Sequence, residues 1–253
     1  MTALGEASSA LVPTAGAVVL LMAVTVGVLA WSRSPHHWAP ALAVLRGAVQ
    51  LGLISLILGG VITSALWVAC ALLVMFTVAA ATATRRIGST RRHVLLITLG
   101  MGSGVVVTLA VVFLTGAIEA EPRYLLALGG IVIGNTMSIA TLAGRRLHEA
   151  TLERWDEVEG WLALGATRRR ATLDMARTTV HSALIPSTDQ TRTTGLVTLP
   201  GAFVGAIFGG ISPLEAGRFQ IVVLASIMAA GAVTAVVLVR GLAPAGVRPD
   251  PLP

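Results

Sequence analysis

The side chains that carry most enzymatic and metal chemistry are sparse here and poorly spaced for it. The five histidines are His36, His37, His93, His148 and His181. None falls in an H-E-x-x-H or comparable ligand spacing. His36 and His37 are adjacent and could meet a metal, but neighbouring histidines in a short loop are also simply solvated, so the metal ligands stay unassigned. Cys70 is the one cysteine, which excludes an intrachain disulfide and a thiolate cluster. All 18 basic residues are arginine. A phosphate-binding loop of the G-x-x-x-x-G-K-[ST] type therefore lacks its lysine, and so does a Schiff-base enzyme. Gly100, Gly102 and Gly104 are not a dinucleotide fingerprint, because no strand precedes them. The chain reads as a non-enzyme with no catalytic residue and no cofactor of its own.

The polar residues that remain sit inside apolar windows. Arg46 and Gln50 are one helical turn apart and share a face. They serve either as a snorkelling anchor or as an intersubunit or pathway contact. Asn135 has no water partner in lipid and should face protein, with interhelical bonding the plain reading. Gln220 begins an apolar stretch and reads as the mark of its outer end. Asp189 lies near the cytoplasmic mouth of a span, where it either pairs with Arg192 at i+3 or attracts a cation. Gly201, Gly205 and Gly209 recur every four residues and strip one helix face for close packing. Pro200 precedes that face and can kink or gate the span. Arg46, Gln50, Asn135, Asp189, Pro200, Gly201 and Gln220 are thus the candidates for a translocation path or its gate.

Composition sets what must position these residues. Of 253 residues, 55% are hydrophobic and 12% are charged, about half the charge of a soluble domain. Gly47–Thr84, Val94–Ile118, Tyr124–Gly144, Thr193–Leu214 and Phe219–Val239 carry no charge at all. Such runs suit bilayer crossings rather than a soluble core. The spacing predicts seven spans: Thr14–Trp31, Leu42–Gly60, Ser64–Ala83, Val94–Ile118, Tyr124–Gly144, Thr194–Ile211 and Phe219–Val239. Gly59-Gly60 is read as the turn that divides the longest window. With those spans, 16 arginines fall on one side and only Arg123 and Arg218 on the other. The asymmetry predicts an outside N-terminus and a cytoplasmic C-terminus. The net charge of +6 then marks a membrane face that meets lipid headgroups, not a nucleic-acid surface. The fold class is all-α: a single polytopic permease-like domain over 1–253 with a cytoplasmic helical segment over about 145–192.

That segment is the most informative. Leu152, Trp155, Val158 and Leu162 are spaced 3, 3 and 4 among carboxylates, which predicts an amphipathic helix. Gly165 interrupts it. Thr167 is placed to cap a second helix, about Arg168–Ala183, expected to end before Pro186. The unit reads either as a helical hairpin on headgroups or as a docking element.

Glu159 followed six residues later by Gly165, then Ala166 and Thr167 after Leu164, resembles the coupling loop of ABC-transporter permeases. A longer pattern resembles the FetB family of permeases, also called YbbM. It comprises Ser182-Ala183-Leu184-Ile185-Pro186, Asp189, Gly195-Leu196-Val197-Thr198-Leu199-Pro200-Gly201, Ile211-Ser212-Pro213-Leu214-Glu215-Ala216 and Phe219-Gln220-Ile221. Arg46 with Gln50-Leu51, and Gly134-Asn135 with Met137, extend it upstream. The resemblance implies a permease paired with a separate ATPase, two copies of each, with ATP and Mg held on that ATPase. Glu159, Leu164, Gly165, Ala166 and Thr167 would couple the two subunits. Iron or another metal ion is the implied cargo, exported across a bacterial inner membrane. The family's paired methionines after Pro-Gly are replaced here by Ala202 and Phe203, which removes a soft thioether contact. Permeases for lipid or drug, and an intramembrane enzyme, are the rival readings.

Overall fold

In lipid every backbone N–H and C=O must be satisfied within the protein, which leaves helix as the answer for apolar runs of this length. The computed structural model describes residues 2–62, 64–88, 90–244 and 247–249, though not the side chains of 2–12, 58, 59 and 61. The elements are α1 (Thr2–Trp31), α2 (Ala39–Val61), α3 (Ala65–Ile87), α4 (Arg91–Leu114), α5 (Pro122–Glu153), α6 (Trp155–Ala163), α7 (Arg168–Ala171), α8 (Leu173–Thr193), α9 (Gly201–Phe208) and α10 (Pro213–Leu242). Among the described residues the only β feature is an isolated bridge between Thr194 and Thr198. The protein is an all-α polytopic membrane protein. Six of its described helices, α1 to α5 and α10, are long and apolar enough to cross a bilayer.

The chain forms two compact units, Met1–Val61 and Ile62–Pro253. In the first, α1 and α2 pair along an apolar groove lined by Met22, Val26, Leu45 and Ala48. The turn expected at Gly59-Gly60 is not there. Helix α2 runs through both glycines to Val61, and the chain leaves the helix after it. Two glycines weaken a helix but do not stop one whose backbone has no water to turn to.

In the second unit α10 serves as a ruler. Helix α4 runs antiparallel to it: Arg92 Nη2 donates to the Gly241 carbonyl at 2.9 Å, and Gly104 lies against Ala230 and Thr234. Helix α5 runs parallel, with Tyr124 against Phe219 at a ring separation of 5.7 Å and Ile139 against Gly231. Helix α3 packs on α5, Leu72 against Gly129 and Ile87 against Gly144. The core between them holds Ile97, Met101, Leu128, Val132, Ala230 and Leu238. Arg123 and Arg218 thereby share one end of the unit, and Arg92 and Arg240 the other, so the segregation of charge read along the sequence is also a segregation in space.

Three stretches differ from expectation. Helix α5 does not stop at Gly144 but continues to Glu153, 32 residues or about 48 Å in all. Its end carries the first part of the expected amphipathic helix, and α6 carries the rest after a break at Arg154. Helix α8 does not end before Pro186 but runs through it to Thr193. Proline leaves the carbonyl four residues earlier without its helix donor. Here that carbonyl, of Ser182, accepts instead from Arg146 Nη1 on α5 at 2.9 Å. The expected span Thr194–Ile211 is not one helix. Gly195 takes a left-handed φ of +88°, and Thr193 O accepts from the amides of 196, 197 and 198. Helix then resumes only at Gly201 and lasts eight residues. Eight residues span about 12 Å, too short to cross alone.

Candidate functional site

The segment between α5 and α8 forms a projecting knob. Its inner face is a small cluster of Trp155, Val158, Ala171 and Met175, with Ala150 and Leu162 against it. Of the expected apolar face, Trp155 and Val158 are buried, and Leu152 and Leu162 half-buried. The indole Nε1 of Trp155 donates to Glu159 Oε1 at 2.6 Å, which fixes the carboxylate on the surface of α6. Arg154 donates to Glu157 Oε2 at 2.5 Å and lies 3.6 Å from Asp174, clasping α6 to α8. The Glu157 carboxylate holds the Arg154 guanidinium above its ordinary pKa. Beside this clasp an open cleft of about 340 Å³ is lined by Arg154, Glu157, Trp161, Arg170, Asp174 and Arg177.

The tip of the knob is a helix C-cap. Gly165 has φ +85°, its N–H bonds Leu162 O at 2.9 Å, and the Ala166 N–H reaches back to Trp161 O at 3.0 Å. This pair of bonds is the Schellman arrangement, which satisfies orphan carbonyls by turning one residue left-handed. Thr167 then caps α7, its hydroxyl accepting from the Arg170 N–H at 3.3 Å, as its position in the sequence predicts. The result presents Leu164, 82% exposed, beside a half-exposed Trp161. Glu159 thus lies on α6, and Leu164, Gly165, Ala166 and Thr167 form the turn that joins it to α7.

The polar residues of the apolar windows do not converge in the same way. Arg46 and Gln50 are exposed on α2 in the first unit. Asn135 donates to Ile131 O of its own helix at 2.9 Å, rather than across to a neighbour. Gln220 is buried, the eighth residue of α10 and two residues after Arg218, and among the described residues its Oε1 has no hydrogen-bond partner. Asp189 pairs with Arg192 at 3.8 Å as expected, but within α8 and four residues before its end. Pro200 does not kink a continuous helix; it caps the start of α9. Gly201 and Gly205 face open space, and Gly209 meets only carbonyls of its own helix. The tight crossing within the chain is made by other glycines. Gly100 and Gly104 on α4 lie against the backbone of α10 at Thr234 and Ala230.

Sequence reasoning missed Arg146 as a site residue. Its signal was a proline inside a helix, which requires a donor for Ser182 O; nothing local says which arginine supplies it. Among the described residues no group of three His, Cys, Asp or Glu side chains is placed to hold a metal ion.

Residues 13–245 match the family described as "Uncharacterised protein family (UPF0014)". The chain is 37% identical to the UPF0014 membrane protein STAR2 of Oryza sativa subsp. japonica, over 77% of this chain and 69% of that one. It is 33% identical to Protein ALUMINUM SENSITIVE 3 of Arabidopsis thaliana, over 88% of this chain and 82% of the relative. It is 34% identical to the Probable iron export permease protein FetB of Escherichia coli (strain K12), over 56% of this chain and 53% of that one. No solved structure matches. The chain belongs to the UPF0014 family of membrane proteins.

Proposed function

Taking membership of the UPF0014 family as premise, we propose that this chain is the permease subunit of an ATP-driven ABC transporter. It exports iron or another metal ion and works with a separate ATPase subunit. The observation that carries the reading is the knob tip. A helix cap that leaves Leu164 82% exposed beside Trp161, with Arg154 at the base of the knob reaching Asp174 on α8, supports a protein-docking role. Closure of the ATPase dimer on ATP would move this tip, and the clasp of Arg154 to Asp174 would pass the motion to α8.

ATP and Mg belong to the partner, and this chain contributes no covalent chemistry. The permease acts as a homodimer in the bacterial inner membrane, multi-pass, with the N-terminus outside and the C-terminus cytoplasmic. Support for the orientation is the arginine distribution, in which only Arg123 and Arg218 fall on the outer side. Support for a metal cargo is the iron export named for the Escherichia coli relative.

The test is Leu164→Asp in the chain reconstituted with the ATPase that co-purifies with the unsubstituted chain. ATPase binding and ATP-driven iron movement in vesicles are expected to be lost, with membrane insertion intact. Unchanged ATPase binding sinks the coupling assignment. Movement of a lipid or drug, with no metal moved, sinks the cargo and leaves the coupling standing.

A further inference from the structure

The unusual segment is the second half of α8. Thr172 is level with Ala243, whose carbonyl accepts from its hydroxyl at 2.7 Å. Leu184 is level with Gly231, where a Cβ would lie 3.3 Å from Leu184 Cδ2. Twelve residues of α8 therefore match twelve of α10, running the opposite way. Continued at that register, Asp189 comes level with Ser226 and Arg192 with Val223. The stretch of α10 between Arg218 and Arg240 is free of charge and about 33 Å long. Asp189 then lies about 21 Å inside Arg240 and about 12 Å inside Arg218. That is hydrocarbon depth.

At this depth the edge of α8 is open. The Asp189 and Arg192 side chains are 62% and 77% exposed. Gln190 between them is exposed too. The side of α8 that faces the bundle carries Ser187, Thr188 and Thr191, which bond back to their own helix or accept such a bond. Arginine has a stem with which to snorkel, but aspartate has none. A charged edge at this depth must meet protein or enclosed water, not lipid. Further along the same crossing, Gly201 and Gly205 on α9 also meet nothing within 4 Å. Small residues four apart, left unpacked, are a helix-packing face without its helix.

We propose that α8 from Pro186, the turn over 194–200 and α9 together make one discontinuous membrane crossing, and that a second copy of this chain covers its open edge. Self-complementary charge decides the occupant. Asp189 and Arg192 lie one turn apart with opposite sign, so a two-fold axis sets each against the other's partner in the second copy, as an isologous interface requires. The polar edges of the two copies then line a water-accessible seam at the middle of the membrane. Its role as a transport passage rests on the permease reading; the interface does not.

The experiment is thiol cross-linking in native membranes. Replacing Cys70 with serine removes the sole thiol. Gln190→Cys in that background is expected to give a cross-linked dimer with a homobifunctional thiol reagent. Val106→Cys, exposed on α4, is expected to give none. Recovery of each variant in the alkali-washed membrane fraction verifies that it is inserted, and labelling after detergent denaturation verifies its thiol. An inserted Gln190→Cys chain that gives no dimer overturns the proposal, whether the α1–α2 hairpin or lipid covers the edge instead. So does equal cross-linking at Val106→Cys. Asp189→Arg and Arg192→Asp should each lower dimer yield, and the double exchange should restore it, because opposite signs again face each other. Failure to restore also overturns it. Cross-linking needs neither ATPase nor cargo. Intact dimer with no transport therefore counts against the permease reading alone, and intact transport with no dimer against the interface alone.

Discussion

Replacing Arg146 with methionine keeps a long apolar stem and removes the guanidinium that holds α8 together at its proline. In the native chain Arg146 Nη1 lies 2.9 Å from the Ser182 carbonyl, in a partly buried setting, and Pro186 supplies no N–H to that carbonyl. A hydrogen bond from a charged donor contributes about 1.5–3 kcal/mol net. Partial burial places the expected cost of Arg146→Met near the lower end, about 1.5–2 kcal/mol. The decisive variant is Pro186→Ala, which restores a backbone donor for Ser182 O. In that background the arginine is redundant, and its loss should cost less than about 0.5 kcal/mol. The interaction energy of the cycle is then about 1–1.5 kcal/mol. The gain in helix propensity from Pro186→Ala appears in both arms and cancels. Equilibrium unfolding of the four proteins in mixed micelles gives the four free energies, and Trp155 and Trp161 provide fluorescence close to α8. If the two substitutions are additive, the guanidinium does not replace the missing helix bond, and the account of how α8 passes its proline is wrong.

Other positions give independent checks. Gly165→Ala meets no neighbour within 4 Å, so its cost is the left-handed backbone alone, about 1–2 kcal/mol, and Gly165→Asn should cost less. Faster hydrogen exchange at the Gly165 and Ala166 amides in that order, with the membrane core unchanged, is the expected result; equal exchange in both variants contradicts the cap geometry. Gly104→Ala places a Cβ 2.5 Å from the Ala230 carbonyl oxygen, whereas Gly102→Ala meets only Phe76 Cζ at 3.5 Å. The first should destabilise by about 1–3 kcal/mol through overpacking and the second barely at all, read by the same unfolding assay. Thr172→Val removes the bond to Ala243 O and should cost about 1–3 kcal/mol, which Thr172→Ser should recover. Equal stability of the valine and serine variants would show that the bond contributes nothing.

The tip of the knob was legible in the sequence because its parts are local. Gly165, Thr167 and the spacing of Trp155, Val158 and Leu162 each act within a few residues, and the structure uses them as read. The route through α8 and α9 was not legible. Pro186 inside a polar stretch reads as a stop, and its tolerance depends on an arginine 40 residues away in sequence. The charge-free stretch after Thr193 reads as a span, because hydropathy does not register that Thr193 O gathers three amides and turns the chain. Glycines spaced by four read alike at Gly201–Gly209 and at Gly100–Gly104. Among the described residues of the second unit, the second set meets another helix and the first does not.

Composition and charge by themselves determined that this is a helical membrane protein, that its arginines collect at one face, and that it lacks the lysine of a phosphate-binding loop. Those are consequences of solvent: lipid rejects charge and unpaired backbone, whatever the helices later do. Tertiary structure decided which glycines bring helices together, which helix passes its proline, and where α8 starts alongside α10. Each of these depends on a partner from a distant part of the chain, and a pairing at a distance carries no period in the sequence that would announce it.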